Sequence, residues 1–99
     1  MLIEFNKDNM EEIIKNNETV LFFFHKDNCA RCETLLCEIN KYLENNNLDV
    51  YSIDSEKYLN ILRKNNIYAI PALLLYKNQK LIYRNLGYIN FLDIINLLN

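Results

Sequence analysis

The chain has 99 residues, 51% of them hydrophobic and 24% charged, with a formal net charge of −2. That balance describes one globular domain with a core of its own, not a disordered segment, and it offers no basic stripe for nucleic acid. No apolar run approaches a membrane span, and Met1-Leu2-Ile3-Glu4-Phe5 lacks the basic start and long apolar stretch of a secretory leader, so a cytoplasmic protein with neither nucleic-acid nor membrane partners is expected.

In chain order, Leu2 to Phe5 reads as a short strand, and Asp8 with Glu11 three residues on forms a capping box that starts a helix. Met10, Ile13 and Ile14 supply its buried stripe, and Asn16-Asn17 ends it. Val20 to Phe24 is continuously apolar, as in a central strand covered on both faces. A helix from Cys29 or Ala30 to about Asn45 follows, with Cys32, Leu36, Ile39 and Leu43 in one sector and Leu35 and Tyr42 widening it. Asn45-Asn46-Asn47 is a loop, Leu48 to Ile53 a strand, and Ser55 the cap of a third helix that runs through Leu62 and stops at Asn65-Asn66. Ala72 to Tyr76 and Leu81 to Leu86 flank Lys77-Asn78-Gln79-Lys80 as a hairpin. Asn90 with Asp93 opens a last helix carrying Phe91, Ile94, Ile95 and Leu98 on one face. The order β-α-β-α-β-α-β-β-α places the chain in the α/β class, a mixed central sheet with helices on both faces.

The cysteines carry the chemistry. Three are too few, and odd in number, for a disulfide-stapled scaffold. Cys29-Ala30-Arg31-Cys32 falls where the apolar strand gives way to a helix. There one helical turn brings both sulfurs within bonding range, and the positive helix end favours a Cys29 thiolate. The pattern reads as a redox dithiol, and Arg31 adds a permanent cation between the two thiols. Cys37 falls on the side of the helix opposite the apolar stripe and reads as an exposed surface thiol. A zinc set of His25, Cys29, Cys32 and Cys37 has the right count, but a regular helix turns Cys37 away from the pair.

With these features the chain resembles the thioredoxin family. The resemblance rests on the CxxC at the second strand–helix junction, Ile53-Asp54 closing the third strand, the run Ile70-Pro71-Ala72-Leu73-Leu74-Leu75-Tyr76-Lys77-Asn78, and Gly87 after the last strand. It implies a thioredoxin fold over residues 1–99 as a single domain, acting as a thiol–disulfide oxidoreductase on protein disulfides. Cys29 would be the nucleophile and Cys32 the resolving thiol. Ile70-Pro71 would be a cis peptide bond, with the Ile70 backbone pairing with an extended substrate and Asn28, Ala30, Leu86 and Gly87 rimming the groove. The redox-active Cys29–Cys32 pair would serve without a bound cofactor or metal. A separate, thioredoxin reductase-like enzyme would recycle it, and the protein would be a monomer. A glutaredoxin-like, glutathione-dependent enzyme is the competing reading; the strand and helix before Phe22 favour the thioredoxin arrangement.

The chain departs from the family at three points. Asn28 stands in place of a tryptophan, Ala30-Arg31 in place of Gly-Pro, and Phe23 and Val50 where many members carry a buried carboxylate and its lysine partner. His25, Asp27 or water are the candidates to handle the proton instead. Arg31 is expected to raise the reduction potential above that of a Gly-Pro thioredoxin; each unit of thiolate pKa is worth roughly 1.4 kcal/mol, or about 30 mV.

Overall fold

A computed structural model describes residues 1–6 and 9–99 of the chain. Its elements are β1 (Leu2–Glu4), α1 (Met10–Asn16), β2 (Thr19–His25), α2 (Ala30–Leu43), β3 (Asp49–Asp54), α3 (Leu59–Lys64), β4 (Ala72–Lys77), β5 (Lys80–Leu86) and α4 (Phe91–Leu98). The five strands form one sheet in the order β1-β3-β2-β4-β5. β3 pairs in parallel with β1 and β2, whereas β4 runs antiparallel to both β2 and β5. This is the mixed sheet and element order expected from the sequence.

The apolar run of β2 explains the two-sided architecture. Successive side chains of a strand alternate between faces. Leu21 and Phe23 therefore enter a core with Cys32, Leu35 and Ile39 of α2 and Phe91 and Ile94 of α4. Val20, Phe22 and Phe24 enter the opposite core with Phe5, Ile13 of α1, Ile53 and Leu74, against which Ile61 and Leu62 of α3 also pack. Each buried phenylalanine of β2 contributes about 1.5–3 kcal/mol of apolar transfer. Among the described residues no helix is long and apolar enough to cross a membrane.

Three local expectations change. The Asp8–Glu11 capping box includes a residue outside the described ones; the observed cap of α1 is Asn9, whose Oδ1 accepts the Glu11 and Glu12 N–H groups at 2.9 and 3.4 Å. Ser55 does not cap α3, which starts at Leu59 after Tyr58. Ser55 is instead buried in the turn after β3, its N–H bonded to the His25 carbonyl at 2.8 Å, while Asp54 Oδ1 accepts the Glu56 N–H at 3.0 Å. An Asp side chain that bonds two residues on holds a turn in place of a helix start. The hairpin loop is two residues, not four: Asn78 and Gln79 both have positive φ (51° and 68°), the pattern of a type I′ turn, and Lys77 pairs with Lys80.

Candidate active site

Cys29 is the N-cap of α2. Its Sγ accepts the Cys32 N–H at 3.2 Å, satisfying one otherwise orphaned helix donor, and its carbonyl accepts the Glu33 N–H at 3.1 Å as the first intrahelical bond. The preceding Asn28 has φ 55°, a left-handed conformation that asparagine tolerates better than bulky side chains. Cys29 and Cys32 are joined as a disulfide, with their Cα atoms 5.2 Å apart. Their environments differ sharply. Cys32 is 4% exposed within the α2/α4 core, whereas Cys29 is half-buried at its edge.

The Ile70–Pro71 bond is cis, and Ile70, like Cys29, packs against the rim of the α2/α4 core. The Pro71 carbonyl accepts the Gly87 N–H at 2.7 Å. Gly87 has φ +84°, and a Cβ there would meet only Ala69 Cβ at 3.8 Å, so conformation and not space calls for glycine. Ala30, Arg31, Pro71 and Gly87 line a single groove of about 450 Å³. Tyr88, which the sequence reading passed over, forms one wall of it. The Arg31 guanidinium lies 5.3 Å from the centre of the Tyr88 ring, a cation–π contact between the dithiol helix and the β5–α4 connection. The signal for Tyr88 was its place directly after Gly87; its ring is 77% exposed.

The remaining residues named from the sequence lie elsewhere. Asn28 borders a second crevice, of about 200 Å³, with Phe23, His25 and Cys32. Leu86 pairs with Ala72 and packs partly against the α1/α3 core, and it is not among the residues that line the groove. Phe23 and Val50 are fully enclosed in the core that holds Cys32, so neither a carboxylate nor a cation underlies the dithiol at those positions. Cys37 is a free thiol on the exposed side of α2. The proposed zinc set is therefore not gathered: two of its sulfurs are bonded to each other and the third faces outward.

The family model described as Thioredoxin matches residues 1–98. The chain belongs to the thioredoxin family. It is 28% identical to Thioredoxin-1 of Saccharomyces cerevisiae over 78 residues, covering 78% of this chain and 76% of the yeast protein. Its fold superimposes on the reduced thioredoxin pre-protein of Schistosoma mansoni with a TM-score of 0.83 at 23% identity, covering 98% of this chain and 94% of the other. Spinach chloroplast thioredoxin f gives a TM-score of 0.82 at 16% identity, covering 98% and 89%. With family membership and a bonded CxxC at a helix N-terminus, the protein is a thiol–disulfide oxidoreductase, and disulfides are its substrate class.

Proposed function

We propose that this protein reduces or exchanges disulfides of other proteins by a two-step relay, with Cys29 attacking and Cys32 resolving. The observation that supports these roles is the contrast in access: an incoming disulfide can reach half-buried Cys29 but not Cys32 inside the core. The Cys29 thiolate attacks one substrate sulfur, the substrate S–S bond breaks, and a mixed disulfide forms with release of the other substrate sulfur as a thiolate. Cys32 then attacks Cys29 Sγ, closes the intramolecular disulfide and releases the second substrate thiol. The substrate gains two electrons and the protein loses two.

The groove lined by Ala30, Pro71 and Gly87 would hold the extended substrate segment, with the Ile70 backbone as its hydrogen-bonding edge. The dithiol is the redox group and no other cofactor is invoked. Regeneration requires an external reductase, the working unit is the monomer, and the site of action is the reducing cytoplasm, where the exposed Cys37 thiol persists.

Trapping tests the assignment. In a Cys37→Ser background, Cys32→Ser should accumulate a mixed disulfide between Cys29 and a reducible protein such as insulin, visible by mass spectrometry, while Cys29→Ser should form none and lose turnover. Equal trapping by both variants would overturn the assignment of roles.

A further inference from the structure

We propose that His25 accepts the proton of the buried Cys32 thiol during resolution, through the crevice the two residues share. The proposal rests on the reading of Cys32 as the resolving thiol. Cys32 is 4% exposed among Leu21, Phe23, Leu35 and Leu73. A thiol in apolar surroundings gives up its proton reluctantly, yet only the thiolate attacks. Among the described residues Ser55, in the turn after β3, is the one buried polar or charged side chain, so no carboxylate, imidazole or ammonium is buried beside the thiol. The proton must therefore leave where Cys32 meets polar groups, and that place is the 200 Å³ crevice lined by His25, Asp27, Glu33 and Ser52. Its volume accommodates several water molecules, enough for a short relay.

His25 is the group in this crevice that the fold holds still. It is the last residue of β2, paired with Asp54 of β3, and its side chain follows Phe23 on the same face with ring centres 5.4 Å apart. It is half-buried, whereas Lys26, Asp27 and Glu33 are exposed. His25 also lines a second crevice, of about 160 Å³, with Glu4, Ser52, Asp54, Lys57 and Tyr58. His25 thus lines both the crevice that reaches Cys32 and a separate opening, so a proton taken from the thiol has an exit. Imidazole both accepts and releases protons in the neutral range, which suits a site that must cycle. The charges around it come from every neighbouring element: Lys26 and Asp27 from the loop, Glu33 from α2, Glu4 from β1, Asp54 from β3 and Lys57 from the following turn.

In the proposed step the Cys32 S–H proton passes to His25 through water, and the Cys32 sulfur attacks Cys29 Sγ. The Cys29–substrate bond breaks and its electron pair leaves on the substrate sulfur. The imidazolium then returns its proton to that thiolate or to solvent. Cys29 and Cys32 end oxidised and the substrate cysteine reduced.

Dithionitrobenzoate reads this step directly in a Cys37→Ser background. A first equivalent of thionitrobenzoate reports attack by Cys29, and a second, concentration-independent phase reports attack by Cys32. The second phase should accelerate with rising pH along a single limb. Because His25 is the chain's one histidine, its ring signal is assigned in an NMR spectrum without further work. The limb midpoint should match the ring titration in the thionitrobenzoate adduct of Cys32→Ser. In His25→Gln the limb should vanish and the phase slow by about tenfold or more at pH 7, while Asp27→Asn and Glu33→Gln keep the wild-type profile. A limb that survives in His25→Gln, moves to either carboxylate variant, or misses the NMR midpoint overturns the proposal. The midpoint comparison needs no His25 variant to fold. Absence of any second phase in the parent protein would instead remove the two-cysteine relay itself.

Discussion

Replacing Phe23 with aspartate would place a carboxyl group in the core that holds Cys32, where Val50 offers no cation to receive it and the His25 ring is the ionisable neighbour. Phe23 is 1% exposed and Val50 0%. Loss of the buried ring costs about 3–5 kcal/mol. A neutral carboxyl without a partner adds about 1–3 kcal/mol, which together consume much of the roughly 5–15 kcal/mol that stabilises a domain of this kind. Ionisation is worse. If burial raises the folded-state carboxyl by about three units, the charged form costs about 4 kcal/mol more. The native state then binds the proton more tightly than the unfolded chain does, so the variant is most stable below the ordinary aspartate range. That stability is lost as pH rises towards the raised folded value. Urea denaturation followed by far-UV circular dichroism, at pH 4.5 and pH 8, measures this, with Phe23→Asn as the uncharged control. Phe23→Asp should lose several kcal/mol more at pH 8 than at pH 4.5, and Phe23→Asn should show no such gap. Equal losses for the two variants at both pH values would mean that His25 or water from the crevice beside Phe23 relieves the charge, and the picture of an enclosed position 23 would fail.

Arg31→Gln should make the protein slightly more reducing at pH 9, where the Cys29 thiolate dominates the reduced form. A unit charge at about 8 Å in near-aqueous surroundings is worth about 0.5 kcal/mol, or roughly 10 mV. Direct disulfide exchange between variant and parent should therefore settle near a twofold preference, shrinking at pH 6; no preference at pH 9 would show that Tyr88 and solvent absorb the charge. Gln79→Gly should stabilise the β4–β5 hairpin by about 0.5–1 kcal/mol in urea denaturation, because Gln79 adopts φ 68° without the freedom of glycine. Burial raises the Tyr76 phenol above its ordinary value, with Arg84 opposing the shift. The folded state thus keeps that proton longer than the unfolded chain, so Tyr76 contributes a loss of stability as pH climbs above about 10. Ultraviolet titration should show a late-ionising tyrosine component that is lost in Tyr76→Phe and moves higher in Arg84→Gln.

Local pattern carried most of the architecture. Five consecutive apolar residues from Val20 to Phe24 announced a strand covered on both sides, and the stripe of α2 announced which sulfur would be buried: Cys32 lies on it and Cys37 does not. The misplaced boundaries have physical reasons. Ser55 is a good cap by type, but the Asp54 side chain and the His25 carbonyl claim the adjoining N–H groups first. Lys77 and Lys80 look like loop residues, yet a pair of positive-φ residues lets the ladder run to its end. The crevice shared by His25 and Cys32 was not legible because it forms where β2, β3 and α2 meet, across 27 residues between His25 and Ser52. The Arg31–Tyr88 contact likewise joins residues far apart in the chain.

The hydrogen bond from Gly87 to Pro71 links the two ends of a single hairpin, since β4 begins just after Pro71 and β5 ends just before Gly87. One jaw of the groove is thereby fastened at its tip and braced by the sheet along its length. Substrate disulfides of different shape would be accommodated by the exposed side chains around the groove, Tyr88 beside Gly87 and Arg31 on α2. Breadth of selection in this molecule would then reside in two side chains, while the backbone that greets each client stays the same.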